Sequence, residues 1–306
     1  MEISLSSISN SMSEGHRFIR PDWTVLTDWV AANVSNDRFD ETWTTLARDW
    51  LEHLRKSLPN HYSVTESEEF LLLTKDDAKL SSRLLGSCEH ARRTILRTLD
   101  TVARDEGYGK HVMIAFSDAE SYYDYISDFY PDEGEFALSG GMFLDVGYGH
   151  FVICLAYGDQ YDRIIAHELN HNLLRHLPLP LWLNEGVTQV IEDIVVDSSY
   201  FFVDQDIVRR HRAYWNTETI QSFWSGGSFF LPDEGTELSY HLAQVLFRNL
   251  MSDYPKQITS FLNTASYEDA GNSALKQLCR VSLGDRVKQF LGNGSWEPGE
   301  ACSNNN

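Results

Sequence analysis

The stretch Ile164-Ile165-Ala166-His167-Glu168-Leu169-Asn170-His171-Asn172-Leu173-Leu174 decides how this chain is read. It contains His-Glu-x-x-His, with His167 and His171 at i and i+4. An α-helix brings residues four apart onto one face, one turn from each other. Two imidazoles so placed are able to bind one zinc ion at about 2.0–2.1 Å each. Glu168 follows the first histidine directly, so it is turned away from the metal and toward a water beside it, where it serves as a general base. The motif is short enough to arise by chance, so its surroundings must decide. Ile164, Ile165, Leu169, Leu173 and Leu174 supply the apolar positions of a buried helix, where an exposed helix with two incidental histidines would carry polar residues.

A third ligand is expected downstream, in Leu177-Pro-Leu-Pro-Leu-Trp-Leu-Asn184-Glu185-Gly186. Pro178 and Pro180 end the first helix and force a turn. Asn184 reads as the N-cap of the next helix, which puts Glu185 in its first turn, pointing back at the metal. An acid favoured by the helix dipole is the plain alternative for Glu185.

At these residues the chain resembles the gluzincin zinc metallopeptidases, closest to the compact peptidase MA-like group with its HExxH…P-x-W-x-x-E-G pattern. The matching residues are His167, Glu168, His171, Pro180, Trp182, Glu185 and Gly186. The resemblance implies a thermolysin-like (zincin) α+β fold. Such a fold has a small mixed or antiparallel sheet, an antiparallel edge strand above the active-site helix, and a helical C-terminal subdomain. It implies that His167, His171 and Glu185 bind one zinc and that Glu168 is the catalytic base. It also implies a downstream oxyanion donor, for which Tyr240 is the candidate and His241 the spare; a packed aromatic is the alternative for Tyr240. One departure stands out. Relatives carry an acid one turn after the third ligand, and here that position is Gln189, with Glu192 and Asp193 as possible substitutes.

Outward from the motif, three parts are expected: an N-terminal arm and helical appendage (1–60), a metallopeptidase-like domain (61–292) and a disordered tail (293–306). Within the second, 61–176 holds the sheet and active-site helix and 177–292 the helical subdomain. Residues 1–20 are polar and serine-rich, a loose arm. Trp43, Leu46, Trp50, Leu51 and Leu54 mark one face of a helix that packs against the main domain. Strands are expected at 69–74 and 111–116, and as a pair at 136–145 and 149–155, the last taken as the edge strand. Helices are expected at 76–104, 118–129, 160–175, 184–196 and 238–251, and through 256–291. Strands come early and helices late, an α+β arrangement without β-α-β alternation.

Composition sets limits on function. The 306 residues carry a formal net charge of −20, against nucleic acid and against an anionic membrane surface. Four cysteines (Cys88, Cys154, Cys279, Cys302) form no C-x-x-C pair, so neither a cysteine zinc knuckle nor a disulfide framework is expected. Neither a signal peptide nor a spanning apolar run is seen, so the expected location is the cytoplasm. Residues 111–162 hold ten acids (Asp118, Glu120, Asp124, Asp128, Asp132, Glu133, Glu135, Asp145, Asp159, Asp162) and no Lys or Arg. Framing a cleft, they would favour basic peptides; a solvated acidic face is the alternative. His150 is expected as edge-strand filler or a cleft residue, and His176 at the surface. The expected activity is zinc-dependent peptide hydrolysis, by an endopeptidase. A zinc-binding but silent peptide-binding module is the alternative, and a structural α+β domain with a chance motif the third reading.

Overall fold

The computed structural model describes residues 3–13, 16–58, 61–75, 77–130, 140–158 and 160–299. The strands are β1 (Met12–Ser13), β2 (Arg20–Pro21), β3 (Tyr62–Glu66), β4 (Phe70–Lys75), β5 (His111–Phe116), β6 (Gly141–Leu144) and β7 (His150–Cys154). The helices are α1 (Trp23–Asn33), α2 (Phe39–Ser57), α3 (Ala78–Thr98), α4 (Ala119–Ser127), α5 (Tyr161–Leu174), α6 (Leu181–Val195), α7 (Gln205–Tyr214), α8 (Thr219–Trp224), α9 (Glu234–Asp253), α10 (Ile258–Thr264), α11 (Asn272–Cys279) and α12 (Leu283–Leu291). Backbone contacts divide the chain into two units: 1–94 with 105–173, and 95–104 with 174–306.

The first unit is built on a five-stranded sheet of order β3-β4-β5-β7-β6. β4–β5 and β5–β7 run parallel, while β3–β4 and β6–β7 run antiparallel. The interior strands are buried on both faces, which is why they read as unbroken apolar runs. Leu71, Leu73, Val112, Ile114, Phe116 and Val152 join one core with Leu46, Trp50, Leu51 and Leu54 of α2 and Tyr122, Tyr125 and Ile126 of α4. On the other face, Cys88 of α3 meets Met113 at 3.3 Å between sulfurs.

The chain is a mixed α and β protein, as expected, but the sheet corrects three details. β4–α3–β5 is a parallel β-α-β crossover, so alternation is present in the first unit. The edge strand is β6, not β7: a parallel partner (β5) occupies the far side of β7. β3 was not anticipated, because Tyr-Ser-Val-Thr-Glu at a sheet edge lacks an apolar run. Residues 136–139 of the expected strand, and Asp132, Glu133, Glu135 and Asp159, lie outside the described residues.

Residues 3–13 and 16–20 are not a loose arm. Leu5, Ile8 and Phe18 are buried in the same core as the sheet. Leu5 N–H donates to the Asp49 carboxylate at 2.7 Å, and Ser11 Oγ to the Leu5 carbonyl at 2.6 Å. The three apolar side chains are too widely spaced for a periodic signal, yet their burial outweighs the polar serines between them. The described residues between 3 and 58 therefore share a core with the sheet.

The second unit is helical. α6 is buried along most of its length, and Gly186 lets α9 come close: a Cβ there would stand 2.7 Å from the Ala243 carbonyl oxygen. α6 begins at Leu181 with Pro180 as its N-cap, four residues before the expected Asn184 cap. Trp182 explains the early start, since its indole N–H donates to the Ala270 carbonyl at 3.0 Å from a fully buried site. α7 and α8 were not anticipated. The described part of the expected frayed tail, residues 293–299, is held in place: Trp296 is buried, its carbonyl accepts from Trp224 Nε1 at 2.9 Å, and Gln221 Nε2 donates to the Glu297 carbonyl at 2.9 Å; residues 300–306 lie outside the described residues. The described cysteines, Cys88, Cys154 and Cys279, are free thiols. Among the described residues no helix is long and apolar enough to cross a membrane.

Candidate metal centre

α5 buries Ile165, Ala166, Leu169 and Leu173, and this apolar stripe fixes the rotation of the helix about its axis. His167 and His171 occupy the neighbouring face, half-buried, with ring centroids 4.8 Å apart and the rings near perpendicular. Their Nε2 atoms are 3.1 Å apart. Two donors on one tetrahedral zinc, each at 2.0–2.1 Å, stand about 3.3 Å from each other, so this separation suits shared coordination.

Glu185 is the fifth residue of α6, in its second turn, and is 7% exposed. One ligand atom from each of His167, His171 and Glu185 lies within 4.8 Å of the other two. The two nitrogens and one carboxylate oxygen can hold a metal ion, and the donor set suits zinc.

Glu168 is 8% exposed. The edge strand β6 abuts it: a Cβ at Gly141 would stand 3.1 Å from Glu168 Cγ, 3.2 Å from its Oε1, and closer still to Ile164. A residue without a side chain is required for this strand to lie so near α5. The sequence contains Gly140-Gly141 but gives no sign of which helix they face.

Asn172, the residue after the second histidine, is also buried, and its Nδ2 donates to His111 Nδ1 at 3.1 Å. His111 Nε2 in turn meets Asp105 Oδ1 at 2.8 Å, and Arg92 grips both Asp105 oxygens at 3.0 and 2.6 Å. These hydrogen bonds from His111 and Arg92 hold the Asp105 carboxyl well below the usual range, against the opposing effect of its burial. The chain ties α5 to β5 and α3. It escaped the sequence reading because its members lie far apart along the chain.

Tyr240 is half-buried on α9, its ring edge-on to Phe229 at 5.1 Å. The spare, His241, has both ring nitrogens engaged, with His211 at 2.8 Å and with the Phe202 carbonyl at 2.9 Å. Gln189 Nε2 donates to the Tyr240 carbonyl at 2.9 Å and to that of Glu185 at 3.3 Å, so it ties α6 to α9. Asp193 Oδ2 accepts from Ser199 at 2.7 Å, from Gln244 at 3.1 Å and from Arg248. That oxygen is committed to this network.

His150 is a core residue, neither edge filler nor cleft lining. Its Nε2 accepts from the Tyr125 hydroxyl at 2.8 Å and its Nδ1 faces the Tyr148 carbonyl at 2.9 Å. His176 is half-buried, not a surface residue. Several of the acids in 111–162 have structural partners. Asp118 caps α4, Asp124 and Asp128 pair with Arg17 and Arg20, and Asp162 accepts from Ser87.

No protein-family model matches the chain, and no curated protein matches it in sequence.

Proposed function

We propose that this chain is a zinc-dependent peptidase of the gluzincin kind, hydrolysing internal peptide bonds with Glu168 as general base. The observation that carries the reading is the donor group His167, His171 and Glu185, with ligand atoms within 4.8 Å of one another, and a buried carboxylate directly after the first histidine. Zinc, when bound, supplies Lewis acidity and brings the pKa of a coordinated water to about 7. Glu168 Oε1, backed by β6, takes the proton of the attacking water and returns it to the leaving amine. His167 and His171 hold their aim through the buried stripe of α5. Tyr240 is the proposed donor to the developing oxyanion. Hydrolysis then proceeds without a covalent enzyme intermediate. A peptide or protein is the substrate, and the location proposed is the cytoplasm.

A second reading is a zinc-binding, catalytically silent domain that uses the same groups to hold a peptide. It is favoured by Gln189, which stands where relatives place an acid and whose amide is spent on two carbonyls. Metal analysis of the purified chain tests both. About one zinc per native chain is expected, with loss in His167→Ala and in Glu185→Ala. No zinc after reconstitution overturns both readings. With zinc present, a peptide library compared with Glu168→Gln separates them: cleavage confined to the native chain supports the peptidase, and identical silence supports the binding module.

A further inference from the structure

Two histidines of the helical unit, apart from His176, face each other outside the metal-donor group. His211 on α7 is fully buried, and His241 on α9 is half-buried. Trp215 Nε1 donates to His211 Nδ1 at 2.9 Å. An indole nitrogen only donates, so His211 Nδ1 bears no proton. Its proton is on Nε2, which faces His241 Nδ1 at 2.8 Å. His241 Nδ1 must therefore accept, and its own proton is on Nε2, facing the Phe202 carbonyl at 2.9 Å. A carbonyl only accepts. A chain that starts at an obligatory donor and ends at an obligatory acceptor leaves each ring one tautomer and no place for a second proton.

What the chain holds is the segment between α6 and α7. Phe201 stacks on the His241 ring at 5.3 Å, with Arg248 over Phe201 at 4.7 Å. Ser199 is bound to Asp193. Between these fastenings Tyr200, Phe202 and Val203 are exposed at 67%, 62% and 49%.

We propose that the Trp215–His211–His241–Phe202 chain is an acid-sensitive latch, closed while both imidazoles are neutral and released when His241 takes a proton. A proton on His241 Nδ1 would face the His211 N–H at hydrogen-bond distance. Either His211 changes tautomer and gives up Trp215, or the His241 ring swings out and lets go of Phe202 and Phe201.

The charged neighbours are accounted for on each element. α7 brings Arg210, which opposes protonation of both rings. α9 brings Glu237, which favours it but is paired with Arg210 at 2.6 Å, and Glu234, which also pairs with Arg210. The segment itself brings Asp204, which favours protonation of His241, and α12 contributes the Phe290 ring. Burial is the largest effect and pulls both imidazoles down, His211 to about 3. The latch is thus shut at neutral pH and loosens on acidification. This inference does not rest on the peptidase reading.

Hydrogen exchange of the full chain at pH 7.5, 6.0 and 5.0, corrected for intrinsic rates, tests it. Protection of residues 198–204 is expected to fall about tenfold from pH 7.5 to 5.0, and to become independent of pH in His241→Gln. An unchanged native protection overturns the latch, as does an undiminished pH response in that variant. Nitrogen-15 histidine spectra of the native chain give a second check that needs no variant. Two neutral rings protonated on Nε2 are expected at pH 7, and an Nδ1–H tautomer or an imidazolium at either residue overturns the assignment.

Discussion

In the proposed mechanism Glu168 and its neighbours on α5 have separable tasks, which makes the residue scale the sharpest place to test the site. A general base is needed for the proton transfer and not for holding the metal. Glu168→Gln is therefore expected to keep zinc and lose turnover by about 10²–10⁴-fold, read as metal content beside peptide cleavage. Gly141 tests the same carboxylate from the strand side. A Cβ there would clash with Ile164 Cγ2 and stand 3.1 Å from Glu168 Cγ, so Gly141→Ala must move β6 or α5. We expect it to destabilise the fold by about 1–3 kcal/mol in urea unfolding. Cleavage should fall, because either movement displaces the Glu168 carboxylate. A Gly141→Ala chain as stable and as active as the native one would remove β6 from the account. The gathering of His167, His171 and Glu185 was legible because two histidines four apart on a helix, with an acid beyond a proline turn, make a recognisable spacing. The neighbours that hold them were not: Asn172, His111 and Asp105 join through hydrogen bonds that no local pattern records.

At the scale of elements, two helix glycines predict opposite outcomes. Gly186 sits where α6 and α9 touch, with the Ala243 carbonyl oxygen 2.7 Å from a would-be Cβ. Gly186→Ala gains helix propensity worth about 1 kcal/mol but forces the helices apart, and we expect a net loss of about 1–2 kcal/mol. Gly86, on α3, has nothing within 4 Å of a Cβ, so Gly86→Ala should stabilise by about 0.5–1 kcal/mol. Urea midpoints moving the same way in both would contradict the packing. The elements themselves were read from periodicity with mixed success, for physical reasons. β4, β5 and β7 are apolar runs buried along nearly all their length, and α2 and α5 carry clear apolar stripes. β3 is a half-polar edge, and strand order depends on pairing between distant segments, which is why the edge position of β6 leaves no local signal. The start of α6 was misplaced because Asn184 is a better cap by type than Pro180, whereas the buried Trp182 decides the local backbone.

For the whole molecule, acid is the informative stress, because the first unit buries a histidine deeply enough to oppose its charged form. His150 is 1% exposed on β7; Trp50 and Phe129 lie edge-on to its ring at 5.0 and 5.6 Å. The Tyr148 carbonyl needs a proton on Nδ1, and the Tyr125 hydroxyl, hydrogen-bonded at 2.8 Å, can donate to Nε2. Burial is the main cause that pulls its pKa down to about 4; the Tyr148 hydrogen bond opposes this and the charge of Arg20 adds to it. Because the folded pKa is the lower one, the unfolded chain takes the proton first. The contribution to stability is therefore complete above about pH 6.5 and is lost progressively as pH falls from there toward 4. Between pH 7.5 and 5.0 the native first unit should lose about 2 kcal/mol through this residue alone. His150→Gln keeps a donor and an acceptor but cannot titrate, so its stability should be lower at pH 7.5 and flatter with pH. Exchange protection of the β5 and β7 amides, followed in urea at both pH values, reads the first unit without interference from the helical one. Equal pH slopes in the native chain and in His150→Gln would show that acid acts through other groups, and would return His150 to a purely packing role.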